Sequence, residues 1–282
     1  MTKCFFVSDL HGFTDRYAKL LNEIKKETPD VVFFGGDLLP HGLRKTGNFD
    51  NFVSDFLIPK FVSLKKELKN RYPEIFLILG NDDFRSEEKK IIEAGRLGIW
   101  QYIHFKKVEF ADYKIFGYTY VPVTPFGIKD WEKYDIDIKV RPGCLPFSKG
   151  FRTVPPAYDI ENSTIQNDIN KLTKGEELSQ SVFIFHSPPY NTYLDRAWLD
   201  GLLVDNLPID VHVGSVAIRQ FIEEKQPLLT LHGHIHESTR LTGFWKQQFG
   251  KTISINASHD GPELCTVKFD IEEPENAERF LL

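Results

Sequence analysis

Two rhythms alternate along the chain. Short continuous apolar runs bounded by turn signals recur at Lys3–Ser8, Val31–Phe34, Ile75–Leu79, Val182–Phe185 and Leu228–Leu231. Such runs predict buried strands. Between them, apolar residues fall at helical spacing. Thr14–Lys26 carries Tyr17, Leu20, Leu21 and Ile24, with Thr14 placed to cap it. Phe52–Leu68 carries Phe52, Phe56, Phe61 and Leu64, with Pro59 near its middle. Glu87–Ala94, Asn162–Thr173 and Val216–Glu224 are shorter helical stretches. From Trp100 to Val121 the runs become short and alternating, as in neighbouring or antiparallel strands. Lys251–Ile255 and Leu264–Phe269 close the pattern as strands, and the charged tail 272–282 is expected to be peripheral.

Strands that alternate with helices predict βαβ units and a mostly parallel sheet. In such sheets ligand groups gather just beyond the carboxyl ends of the strands. Two stretches interrupt the rhythm: 122–160, rich in Pro, Gly and aromatic residues, and 191–213. No repeat, low-complexity tract or Gly/Ser linker divides the chain. The expectation is one domain of 282 residues with two insertions.

Composition narrows the class. Net charge is −5 and no basic run is present, so a nucleic-acid partner is not expected. Three cysteines, scattered and without a CxxC pair, argue against a disulfide framework or a thiolate zinc site. A reducing interior such as the cytoplasm fits them. The first apolar run ends at Asp9, too soon for a signal-peptide core or a membrane span. Most of the 24 Phe residues lie in apolar runs and belong to a core.

Candidate chemistry sits at five strand ends. Asp9-Leu10-His11 places a carboxylate and an imidazole two residues apart, a pair suited to manganese, iron, zinc or nickel. Gly35-Gly36-Asp37 offers a carboxylate after a backbone free to bend. Gly80-Asn81-Asp82-Asp83 adds an amide oxygen and two carboxylates. Each of these also reads as an ordinary turn or helix cap, and His186, after the fourth run, also reads as a structural histidine. Leu231-His232-Gly233-His234-Ile235-His236 resists such a reading, because burying three imidazoles without a metal or charged partner is costly. His234 and His236 are expected to converge on the metal pair, with His232 structural.

Taken together, these residues resemble the calcineurin-like metallophosphoesterase superfamily, whose pattern runs DxH, GD, GNH, a lone His and GHxH. The matches are Asp9 and His11, Gly36-Asp37, Gly80-Asn81, His186 and Gly233-His234-Ile235-His236, spread over residues 3 to about 258. The resemblance implies an α/β fold in which a two-sheet β-sandwich is flanked by helices in four αββα layers. It also implies two divalent metal ions. Asp9, His11 and His236 would hold the first, Asn81, His186 and His234 the second, and Asp37 would bridge them. The implied activity is hydrolysis of a small phosphomonoester or phosphodiester, a nucleotide among the candidates, by metal-activated water.

One departure stands out. Where the family has a histidine that contacts phosphate or protonates the leaving oxygen, this chain has Asp82. Either Asp82 acts there as an acid, or another residue assists. His212 is the first candidate, with His41 and His104 behind it. The same departure motivates an alternative: a catalytically impaired scaffold that binds a partner on this fold.

Overall fold

In the computed structural model, which describes residues 1–41, 49–156 and 158–282, the chain forms sixteen strands and six α-helices among the described residues. In chain order the strands are β1 (Lys3–Val7), β2 (Val31–Gly35), β3 (Glu74–Ile78), β4 (Gln101–Tyr102), β5 (Lys106–Phe110), β6 (Tyr113–Tyr118), β7 (Val121–Pro122) and β8 (Glu132–Lys133). They continue with β9 (Ser181–Phe185), β10 (Leu203–Val204), β11 (Leu207–Pro208), β12 (Leu229–His232), β13 (Lys246–Phe249), β14 (Thr252–Asn256), β15 (Cys265–Asp270) and β16 (Glu278–Leu281). The helices are α1 (Thr14–Glu27), α2 (Ile58–Leu68), α3 (Glu88–Gly95), α4 (Ile165–Leu172), α5 (Val216–Lys225) and α6 (Ser238–Thr242).

Two six-stranded sheets dominate, ordered β16-β15-β1-β2-β3-β4 and β13-β14-β12-β9-β6-β5. In each, four strands run parallel and the remaining strands pair antiparallel: β15 and β16 in the first sheet, β13 and β5 in the second. Successive side chains of a strand point to opposite faces, and β1 shows the result. Cys4 and Phe6 join an inner core with Phe33, Phe76, Ile78, Val182, Ile184, Leu229 and Leu231, drawn from both sheets. Phe5 and Val7 join the outer core with Tyr17, Leu20 and Ile24 of α1. On the far side, Phe183 of β9 packs against Phe221 of α5 at 4.8 Å. Helices thus flank a two-sheet sandwich, the architecture expected.

Three local expectations shift. Pro59 lacks an N–H and cannot sit mid-helix without loss. The segment accommodates it as a π-helical turn over Val53–Leu57 that hands over to α2, with the proline in that helix's first turn. Thr14 does not cap α1: Phe13 holds the cap position, with no side-chain bond. Helix α4 starts later than predicted because Thr164 caps it, accepting the Asn167 N–H at 3.1 Å. The charged tail is knit into the first sheet through β16, and Leu264 and Leu282 exchange two backbone hydrogen bonds. Among the described residues no helix is long and apolar enough to cross a membrane.

Phe33 anchors the inner core. It is fully buried and stacks on Phe76 at 5.9 Å and on Phe269 at 6.3 Å. Phe33→Ala is expected to destabilise the fold by about 3–5 kcal/mol. Equilibrium unfolding in denaturant checks this, as a lower midpoint with an unchanged slope.

Candidate metal centre

Five chain segments leave their strands at one place: those after β1, β2 and β3 from the first sheet, and after β9 and β12 from the second. The first two are stitched by backbone bonds, Asp9 N–H to the Gly36 carbonyl, His11 N–H to Asp37, and Gly12 N–H to Leu38, all within 2.9 Å. The close approach needs glycines. A Cβ on Gly36, at φ +99°, would lie 2.7 Å from His186 Nδ1, and one on Gly80 would run into the Asp37 carboxylate.

There the structure gathers donor groups into two overlapping sets. Asp9, His11, Asp37 and His236 form one, and Asp37, His186 and His234 the other. Within each set the donor atoms lie within 4.8 Å of one another, so either could hold a metal ion. Asn81 lies at the second, its Oδ1 3.0 Å from His186 Nε2. All seven sequence-predicted ligands are therefore in one place. Asp9, Asp37, Asn81 and His186 are buried.

The chemistry of these atoms fits a cation. His186 Nδ1 stands 2.7 Å from the Gly35 carbonyl, which can only accept, so the Nδ1 proton is fixed there. In the neutral ring Nε2 then bears a lone pair. It faces two more acceptors, Asn81 Oδ1 at 3.0 Å and Asp37 Oδ2 at 3.3 Å. The amide cannot turn to relieve this, because Asn81 Nδ2 donates to Asp82 Oδ1 at 3.1 Å. Only a second ring proton or a cation resolves three converging lone pairs. Burial disfavours the charged ring, yet Asp37 and Asp9 pull its pKa up to about 9. His11 Nε2 and His236 Nε2 also meet there, at 3.1 Å. Burial keeps the pKa of His234 down at about 3, and lowers that of His11, so both offer the neutral ring that metals take.

Sequence reasoning missed the groups that hold these donors in place. Ser258 Oγ donates to Asp9 Oδ2 at 2.7 Å, and the His234 N–H donates to Asp9 Oδ1 at 3.0 Å. Arg16 reaches from α1 to the Asp9 carbonyl at 2.7 Å. Ser258 lies just beyond the carboxyl end of the parallel strand β14, so the rule that flagged the other segments would have found it. Asp83 does more than add charge: its buried carboxylate accepts the N–H groups of Leu38, Leu39 and Gly80 at 2.7–3.1 Å. Trp131, from the 122–160 stretch, braces this loop by donating to the Asp83 carbonyl at 2.8 Å.

Asp82 lies at the edge of the cluster, its N–H bonded to Asp37 Oδ1 at 2.8 Å. Burial, then the Asp37 charge, push its pKa up to about 6. It lines a cleft of about 760 Å³ with His11, His41, His236, Phe126 and His259. His212 is not among the residues lining this cleft. Its Nδ1 lies 2.7 Å from Asp195, whose buried carboxylate also ties down the N–H groups of Asn191, Thr192 and Gly214. That bond accounts for His212 as a brace of the 191–213 stretch, and His212 belongs to neither donor set. His232 is likewise apart, held by Ser187 and Thr230. His104 packs among Tyr118, Tyr120 and Trp131, and its Nδ1 accepts the Thr119 N–H at 3.1 Å.

These braces can be tested by substitution. Asp83→Ala leaves three buried N–H groups without acceptors, at about 1–3 kcal/mol each; a loss of at least about 3 kcal/mol is expected in chemical unfolding. His104 gives a pH signature. Burial, then Arg85, Lys133 and Lys106, hold its pKa near 3, against 6.5 for the free side chain. The unfolded chain takes the proton first as pH falls, so the stability His104 contributes is complete above pH 6.5 and drains away toward pH 3. Between pH 7 and 4.5 the wild type should lose about 2 kcal/mol more than His104→Asn, which keeps an acceptor for Thr119.

The family model described as calcineurin-like phosphoesterase matches residues 2–238. A crystal structure of TT1561 from Thermus thermophilus superimposes with a TM-score of 0.58 at 14% identity, over 99% of this chain and 98% of that one. Another crystal structure gives 0.59 at 15%, over 99% and 98%; both likenesses are of fold. The uncharacterized protein MJ1162 of Methanocaldococcus jannaschii is 33% identical over 105 residues. That match spans 36% of this chain and 42% of the relative's length. On the family match, with the two-sheet fold beneath it, the chain belongs to the calcineurin-like phosphoesterases.

Proposed function

We propose that the protein is a metal-dependent phosphoric ester hydrolase acting on a small phosphomonoester or phosphodiester, a nucleotide among the candidates. The observation that supports this best is the convergence of unpaired lone pairs about Asp37, which two cations would relieve. In this reading Asp9, His11 and His236 hold one ion, Asn81, His186 and His234 hold the other, and Asp37 lies between. Mixed carboxylate, amide and imidazole donors suit manganese, iron, nickel or zinc better than calcium. Two such ions supply Lewis acidity, making water more acidic and offsetting the charge of phosphoryl oxygens.

The chain's own residues do the positioning. The Gly35 carbonyl fixes the tautomer of His186, and so aims Nε2 at the cluster. Ser258 and the His234 N–H orient Asp9. The cleft beside the cluster has room for a small phosphorylated molecule, with exposed Phe126 and Phe13 on its walls. Its other side chains include acids as well as His and Arg, which argues against a nucleic-acid groove. Three unpaired cysteines, two of them buried, support a cytoplasmic location. A catalytically idle scaffold would have no use for seven metal-suited side chains brought together.

Elemental analysis of purified protein, with a panel of monoesters and diesters, tests the reading. The expectation is transition metal on the chain, hydrolysis lost on chelation, and recovery with manganese or nickel. Asp37→Asn should lower kcat/KM by more than about 100-fold and reduce bound metal. A protein that takes up no transition metal and cleaves neither ester class after manganese or nickel is added would sink it.

A further inference from the structure

The imidazole that the family pattern places after Gly80-Asn81 is absent at position 82, and another part of the chain brings one beside it. His41 Nδ1 lies 3.2 Å from Asp82 Oδ2, and that oxygen lies 3.9 Å from His11 Nδ1. The three follow one another inward from the mouth of the cleft, and all line it. The His41 side chain is 50% exposed and that of Asp82 19%. Among the described residues, His41 Nε2 makes no hydrogen bond, and Nδ1 meets Asp82 as a charge contact and not an aligned hydrogen bond.

The backbone leading to His41 is tightly held. Leu38 and Leu39 are fixed by the Asp83 carboxylate, and the Leu38 carbonyl by the Gly12 N–H. The Pro40 ring lies against Gly12 so closely that a Cβ there would stand 2.5 Å from it. Proline also fixes its own φ. His41 follows directly, so it leaves this clamp in a set direction beside Asp82.

We propose that His41 and Asp82 act as a pair that replaces the missing histidine. His41 is the catalytic residue, meeting the phosphoryl group and its leaving oxygen through Nε2. Asp82 is a positioning residue that holds the ring by Nδ1. In the step, the bond from phosphorus to the leaving oxygen breaks as a bond to water oxygen forms. The Nε2 proton passes to the leaving oxygen, which departs as an alcohol. Of the two water protons, one stays on the product phosphate and one goes to solvent, from which His41 is reprotonated. The proposal rests on the phosphoesterase reading.

The test compares metal-loaded wild type, His41→Ala, Asp82→Ala and the double variant His41→Ala/Asp82→His on an alkyl and a 4-nitrophenyl phosphoester. An alkoxide needs the proton on leaving and nitrophenolate does not. His41→Ala should therefore lower kcat about 100-fold or more on the alkyl ester and under about tenfold on the nitrophenyl ester. The double variant should recover at least about tenfold of that loss, by returning an imidazole to position 82. A second readout does not depend on turnover. The His41 ring ¹⁵N signals, assigned by their absence in His41→Ala, should show a hydrogen-bonded Nδ1–H that Asp82→Ala abolishes. Wild-type kcat on both esters in His41→Ala, or His41 ring signals indifferent to Asp82, overturns the pair. If wild type cleaves neither ester with any metal, the phosphoesterase reading fails separately, and titration with inorganic phosphate decides. Affinity about tenfold weaker in His41→Ala keeps His41 at the anion, and unchanged affinity removes it.

Discussion

The fold is organised around a concentration of electron-rich atoms that the interior of a protein would ordinarily reject. Asp9 and Asp37 are almost wholly buried, and imidazole nitrogens and an amide oxygen close on them from three sides. Burying such groups is costly unless each finds a partner. Part of the cost is met locally by the donors that Ser258, His234 and Asp82 direct at the two carboxylates. The backbone adds a cost of its own. Asp9, His11, Asp37 and His234 all adopt left-handed conformations, at φ of 58°, 48°, 51° and 75°. Each costs about 1–3 kcal/mol and persists only where the surroundings over-determine it. The aromatic core between the sheets and the stitched loops supply that determination.

The arrangement depends on two sheets rather than one. A single parallel sheet offers its carboxyl ends along a line. Here β1, β2 and β3 end opposite β9 and β12, so donors arrive from both sides of a narrow gap. The Gly233 N–H, bonded to the His186 carbonyl, and the Asp9 N–H, bonded to the Gly36 carbonyl, join the loops within each sheet. Asp9, reached by the His234 N–H, joins one sheet to the other.

Much of this is legible in the sequence, for a physical reason. Strands buried on both faces must be apolar throughout, so the runs at Val31, Ile75 and Val182 could hardly be anything else, and the polar residues that end them must face the ligand side. What stays hidden depends on tertiary contact. Pro59 is visible, but not the π-helical turn that absorbs it. Asp83 reads as charge and is in fact a brace for three N–H groups. His212 reads as close to the cluster because it lies in a stretch near strand ends, but Asp195 claims its ring. His41 reads as a surface residue, because its link to Asp82 spans about forty residues of chain and no local pattern encodes it. Ser258 lies farther still from Asp9, and only the sheet order brings them together.

The antiparallel strand β15 fixes the order in which these parts can come together. Lys3 pairs with Asp270, so β1 finds one of its two neighbours only after more than 260 further residues have been made. Pairings of such long sequence separation are slow to form, because loop closure precedes any reward. On a ribosome, Asp9, His11, Asp37 and Asn81 emerge well before His234 and His236 beyond β12, and before Ser258. At that stage the chain offers metal its oxygen donors and one imidazole, His11, and lacks the rest of the final donor set. The full set of imidazoles exists only once the segment beyond β12 has been made and docked, so correct metallation waits on that docking.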